Sequence, residues 1–262
     1  MKFFMIILFA LLMSTLALAQ TSGKTYVLVH GAFQSKWNWD KVKALLEAQG
    51  NTVIAIDLPA HGADTTPPTE VTLESYRDAV IAAIGDRTDV ILVGHSFGGM
   101  TVANVSEAIP DQLAKAVYVA AFLPQTGDST FSLAQNPVNA NSKVGMYIQQ
   151  DDPEKPTVLF FKPEGLVELF CADCDAATQA QILANQQKEP ILPQTQMVTL
   201  TEANFGSVPR YYVKTLKDMN VSPELQDYML SRTPVEETFE MNTSHAPMLS
   251  MPEQLTEILL GM

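Results

Sequence analysis

Val90-Ile91-Leu92-Val93-Gly94-His95-Ser96-Phe97-Gly98-Gly99 decides the fold of this 262-residue chain. Four consecutive apolar β-formers predict a strand buried on both faces, the signature of a parallel sheet. Gly-x-Ser-x-Gly follows at once, and Met100-Thr101-Val102-Ala103-Asn104-Val105 continues it as a helix. A serine between strand and helix sits on a turn so tight that its flanking residues must lack side chains. Such a turn lifts the hydroxyl clear of the sheet and aims it near a helix N-terminus.

Outward from this elbow, strands alternate with helices. Tyr26–Val29, Thr52–Ile56, Ala116–Ala121, Arg210–Leu216 and Glu237–Met241 read as further strands. Helices are predicted over Trp39–Gln49, over Leu73–Ile84 between a Thr72 cap and a Gly85 stop, and from Pro223 to about Ser231. Ser250-Met251-Pro252-Glu253 reads as a capping box for a C-terminal helix. This rhythm predicts an α/β architecture, a mostly parallel twisted sheet with helices on both faces. It breaks between about 124 and 205, where polar residues and prolines accumulate and helical patterns recur at Pro163–Phe170 and Ala176–Gln186, the latter capped by Asp175. That stretch reads as a cap inserted between core strands.

The N-terminus reads separately. Lys2, the apolar run Phe3–Met13 and Ala17-Leu18-Ala19 form a secretory signal peptide over residues 1–19, too short for a comfortable membrane span. The expectation is one domain over 20–262, secreted or periplasmic, with no membrane span after cleavage. The net charge of −13 argues against a nucleic-acid partner, whose binders carry basic patches. Cys171 and Cys174 stand as Cys-Ala-Asp-Cys with no second pair or nearby histidine, so they read as a structural pair, oxidised or not, rather than a metal or redox site. No metal or organic cofactor is expected.

A serine hydroxyl needs a base within reach and an acid to orient that base. His245, in the loop after the last strand, is the candidate base. His30 and His61 sit in loops after earlier strands, and His95 adjoins the serine and must point elsewhere. Asp218, two residues past the Arg210–Leu216 strand, is the candidate acid; Asp227 falls inside the next helix and Asp128 follows an earlier strand. For the oxyanion, the backbone N–H of Phe97 is one candidate donor. The other lies in His30-Gly31-Ala32-Phe33, with Ala32 preferred over Phe33. Gly31 and Phe33 are candidate substrate-binding residues, and Phe33 and Phe97 would face an apolar pocket.

The elbow and the order Ser, Asp, His resemble the α/β-hydrolases. Val27-Leu28-Val29-His30-Gly31-Ala32, Trp37-Asn38-Trp39, Asp57-Leu58, Lys115–Pro124, Gly206-Ser207-Val208-Pro209-Arg210 and Ser244-His245 are similar to the branch that holds plant methylesterases and α-hydroxynitrile lyases; bacterial members share the outline. The likeness is weakest over 125–196. It implies a serine carboxylesterase acting on small apolar esters, methyl esters among them, through an acyl-enzyme, and relatives that often pair as homodimers. The lyases carry lysine after the base histidine and threonine in the first oxyanion loop. This chain has Ala246 and Gly31 there, which favours the esterase. Gln34-Ser35-Lys36 departs from the His-Gly pair of the plant members. Lyase, amidase or thioesterase chemistry on the same triad, and ligand binding without turnover, are the competing readings.

Overall fold

A computed structural model describes residues 23–262. The expected signal peptide lies outside them. Strands β1 (Thr25–Val29), β2 (Thr52–Ile56), β3 (Val90–His95) and β4 (Leu113–Val119) alternate with helices α1 (Asp40–Ala48), α2 (Leu73–Ile84) and α3 (Gly98–Ala108). The chain then leaves the sheet. It forms α4 (Thr130–Ala134), α5 (Val144–Tyr147), a small antiparallel sheet of β5 (Ile148–Gln150), β6 (Val158–Phe161) and β7 (Glu189–Pro190), and the helices α6 (Pro163–Cys171), α7 (Ala176–Ala184) and α8 (Ile191–Thr195). The core resumes with β8 (Arg210–Thr215), α9 (Pro223–Arg232) and β9 (Glu237–Met241), followed by α10 (Pro247–Ser250) and α11 (Pro252–Gly261).

The main sheet is parallel throughout, in the order β2-β1-β3-β4-β8-β9. β3 lies at its centre, and all six of its residues are buried, as its unbroken apolar sequence requires. From β1 the chain crosses to β2 on one side, and from β3 to β4 on the other. The crevice between the C-terminal ends of β1 and β3 is therefore a topological switch point, where open α/β sheets bind ligands. The loops Gly31–Gln34 and Ser96–Phe97 meet there.

Several predicted boundaries hold. Thr72 caps α2 by accepting from the Ser75 N–H at 3.1 Å, and Gly85 ends that helix with φ +59°. Asp175 accepts from the Thr178 N–H at 2.7 Å to start α7. Two predictions need correction. Ser250 does not cap α11. It is the last residue of α10, and its hydroxyl pairs with Thr243 Oγ1 at 2.6 Å, so α11 opens on Met251 with no side-chain cap and Pro252 in its first turn. The strand read as reaching Ala121 ends at Val119, because Ala120 adopts φ +46° and turns the chain out of the sheet.

Candidate active site

The elbow forms where the sequence places it. Ser96 is held at φ +53° at the junction of β3 and α3. Its carbonyl accepts from the Gly99 and Phe122 N–H groups, each at 3.0 Å, and its own N–H donates to Val119 O at 3.2 Å. A Cβ on Gly94 would lie 2.6 Å from Val102 Cγ2, and one on Gly98 would lie 2.7 Å from the His30 carbonyl. The two glycines thus let β3, α3 and the end of β1 approach closely enough to make the turn.

Asp218 and His245 come together at the ends of β8 and β9. His245 Nδ1 donates to Asp218 Oδ2 at 2.7 Å, and both side chains are wholly buried. Asp218 takes three more donors: Thr215 Oγ1 on Oδ2 at 2.8 Å, and the Asn220 and Val221 N–H groups on Oδ1 at 2.8 and 3.0 Å. The fully buried Gln226 in turn clamps Thr215, accepting from its N–H at 3.0 Å and donating to its carbonyl at 3.1 Å. The other aspartates pair elsewhere, Asp128 with Arg232 and the exposed Asp227 with Lys214.

His245 Nε2 is buried and has no hydrogen-bond partner among the described residues. Its ring lies edge-on to Phe170, 5.3 Å between centroids, and Phe170 and Ser96 line one cavity of about 600 Å³. His95 turns away from that cavity. Its Nε2 donates to the His245 carbonyl at 2.8 Å, and burial beside His245 holds its pKa well below the ordinary value, leaving a neutral ring. The Ser96–His245 hydrogen bond is not formed here. In catalytic sites without substrate this contact is often long and tightens in the complex.

The two candidates of the oxyanion loop differ in their hydrogen bonding. Phe33 N–H donates to Glu189 Oε2 at 3.0 Å, whereas the Ala32 and Phe97 N–H groups take part in none of the hydrogen bonds among the described residues. Ala32, Phe33 and Phe97 all line the cavity. Gly31 does not. It lies behind the loop, where a Cβ would sit 2.8 Å from Ser96 Cβ and 3.0 Å from His95 Nδ1. The expected effect of Gly31→Ala follows: overpacking costs about 1–3 kcal/mol of stability and displaces the loop from the serine. Thermal unfolding and ester turnover together check this, with kcat expected to fall roughly tenfold or more.

His30 is structural. Its Nε2 accepts from the Leu58 N–H at 3.1 Å, and burial, with His61 nearby, lowers its pKa to about 3.

The sequence reading missed two acidic residues of the inserted segment. Asp173 accepts from the Ser244 N–H at 2.9 Å and from Thr243 Oγ1 at 2.6 Å, and also from Ser244 Oγ. It thereby holds the loop that carries His245. Its own place is fixed by the disulfide between Cys171 and Cys174 on either side of it. Glu189, the second, bonds to the oxyanion loop. Neither left a sequence signal beyond an acidic residue in an irregular stretch, except that Asp173 lies inside the Cys-x-x-Cys pair.

The cavity wall combines apolar and amide side chains. Phe33, Phe97, Phe122, Phe131, Phe161 and Phe170 supply apolar wall, while Gln135, Asn136, Asn139, Gln150 and Asn220 supply amides. None of the lining side chains is charged. Among the described residues no cluster of histidine, cysteine, aspartate or glutamate could hold a metal ion, and no helix is long and apolar enough to cross a membrane.

Comparison with known proteins gives a consistent picture. A family model described as "Alpha/beta hydrolase family" matches residues 26–258. Methylesterase 1 of Arabidopsis thaliana is 32% identical over 249 residues, covering 90% of this chain and 94% of the relative. Putative methylesterase 11, chloroplastic, of the same plant is 32% identical over 247 residues, and the chain spans only 63% of its length. Among solved structures, a pyrethroid hydrolase from Sphingobium faniae JZ-2 is 27% identical with a TM-score of 0.81, covering 91% of this chain and 96% of the other.

Proposed function

Since this chain belongs to the alpha/beta hydrolase family, we propose that it is a serine carboxylesterase acting on neutral esters. The observation that carries the reading is the buried Asp218–His245 pair at 2.7 Å, whose ring, with Nε2 unpartnered, packs edge-on against Phe170 in the wall of the cavity that Ser96 also lines. In this mechanism Ser96 Oγ attacks the ester carbonyl and His245 Nε2 takes its proton. Asp218 keeps the proton on Nδ1 and stabilises the imidazolium. The Ala32 and Phe97 N–H groups receive the oxyanion. His245 then protonates the leaving alcohol, and water enters by the same steps in reverse to release the acid. Each oxyanion donor contributes about 3–4 kcal/mol to the transition state. The methylesterase names of the relatives support an ester substrate.

The cavity sets the substrate's charge and bulk. A volume of about 600 Å³ suits a ligand well above the smallest methyl esters. Among the described residues no cation lines it to receive a carboxylate on the substrate, and burying an unpaired charge costs several kcal/mol. The expected result is efficient hydrolysis of aryl and medium-chain neutral nitrophenyl esters, and at least tenfold lower kcat/KM for the matching hemisuccinate. Equal turnover of the anionic ester would overturn the neutral-substrate assignment. The site favours the esterase over the lyase reading: Ala246 is fully buried with its N–H on the Phe170 carbonyl, and among the described residues His245 forms an ion pair with Asp218 alone. Cyanohydrin cleavage belongs in the same panel, with no turnover expected.

A further inference from the structure

Glu189 is a wholly buried carboxylate outside the triad. It lies on β7, in the segment between β4 and β8, and reaches down to the main sheet's loops. Its Oε2 accepts from the Phe33 N–H at 3.0 Å and from His61 Nε2 at 2.9 Å. Its Oε1 accepts from Gln194 Nε2 at 2.8 Å, with the Tyr76 hydroxyl at 3.5 Å. A buried carboxylate is costly unless its lone pairs are met by donors and its charge by a cation. The donors are present, and the charge is met by His61. His61 Nε2 donates to Glu189, and Nδ1 lies 3.0 Å from the Pro59 carbonyl and 3.5 Å from the Tyr76 hydroxyl. The nearer partner of Nδ1 is an acceptor, which suits the imidazolium, the form that donates from both nitrogens. Burial works against that form, but the adjoining Glu189 carboxylate offsets it, and the His61 pKa lies above its ordinary value.

The residue on the other side of this ion pair is the strained one. Phe33 has φ +65°, a conformation unfavourable for a bulky side chain that persists only when its surroundings impose it. Glu189 holds its N–H. Two residues earlier in the same segment, the Gln187 N–H donates to the Phe33 carbonyl at 3.0 Å, and the Gln187 side chain accepts from the Gly62 N–H at 3.2 Å. Both polar groups of the Phe33 backbone are thus held by the inserted segment. The peptide directly before Phe33 joins it to Ala32, the proposed oxyanion donor.

We propose that Glu189, braced by His61, is a positioning residue for the oxyanion hole: it imposes the Phe33 conformation that keeps the Ala32 N–H free and directed into the cavity. The inference rests on the hydrolase reading above and adds to it a role for the inserted segment. That segment completes the catalytic loop as well as walling the cavity.

The experiment compares E189M, E189D and E189Q. Methionine keeps the volume but removes the acceptor. Aspartate keeps the charge beside His61, and so favours folding, but draws the acceptor back by one methylene. Glutamine keeps an acceptor oxygen at the same reach, and a turn of the Gln194 amide satisfies its NH2. The expected result is a kcat roughly tenfold to a hundredfold lower for E189M and E189D, up to the effect of losing one oxyanion donor. KM should stay within about twofold and the rate of Ser96 phosphonylation should fall in parallel, while E189Q stays within about threefold of wild type on each measure. Amide exchange over residues 31–35 should rise in E189M and E189D and not in E189Q. Folded E189M or E189D with wild-type kcat and phosphonylation rate would overturn the proposal. A wild-type protein inert to both esters and phosphonate would instead sink the esterase reading, and the exchange measurement then decides the clamp alone, with unchanged exchange in E189M and E189D counting against it.

Discussion

Ser96→Ala is expected to lower kcat for ester hydrolysis by about 10⁵- to 10⁶-fold, the effect of removing the nucleophile from a triad that acts as a unit. The fold should not suffer. The hydroxyl is not bonded to His245, whose Nε2 has no partner, and the hydrogen bonds that fix the elbow come from the Ser96 backbone. Alanine keeps the Cβ that the left-handed turn already accommodates at φ +53°. A melting temperature within a few degrees of wild type, with turnover reduced to background and no labelling by a serine-directed phosphonate, is the predicted outcome. A variant that retained even a hundredth of the wild-type kcat would remove Ser96 from the nucleophile's role.

Asp218→Asn is expected to cost about 10⁴-fold in kcat, close to 5.5 kcal/mol in the barrier. The arrangement of donors around the carboxylate gives the reason. Oδ1 faces two backbone N–H groups, from Asn220 and Val221, which cannot reverse. Oδ2 faces the Thr215 hydroxyl, which can rotate, and His245 Nδ1. An asparagine must therefore keep its oxygen on the backbone side and turn its NH2 toward His245. The amide then donates to Nδ1, and the imidazole's proton moves to Nε2. A ring protonated at Nε2 cannot accept the serine proton. Because two backbone bonds survive, the variant should fold, and the loss should appear in kcat with KM nearly unchanged. If Asp218→Asn ran within tenfold of wild type, the acid would have to be another residue.

Much of this architecture is written in local sequence. Four apolar residues followed by Gly-x-Ser-x-Gly suffice for β3, the elbow and α3, because a parallel central strand has no solvent-facing positions to alternate. Thr72, Asp175 and Gly85 mark helix ends through bonds and φ values that reach no further than three or four residues. The sites of error have the same explanation. Ser250 matches a capping-box pattern, but a tertiary contact with Thr243 and a short preceding helix claim its hydroxyl. Ala120 carries no sign of the positive φ that ends β4; the hydrogen bonds on either side of it, Ser96 N–H to Val119 O and Phe122 N–H to Ser96 O, come from the distant elbow.

By itself, the sequence determined the α/β class, the parallel core and the identity of candidate nucleophile, base and acid. Each of those depends on apolar periodicity, or on a residue type placed next to a strand end. The tertiary structure alone decided that Asp218 meets His245 at 2.7 Å, that Phe33 N–H is already taken and Ala32 N–H is free, and that Asp173 and Glu189 hold the loops of the site from the inserted segment. These are long-range contacts, 156 residues apart for Phe33 and Glu189 and 71 for Asp173 and Ser244. A carboxylate's hydrogen bonds are set by whichever donors the fold brings within 3 Å of it, and no local pattern of residues carries that information.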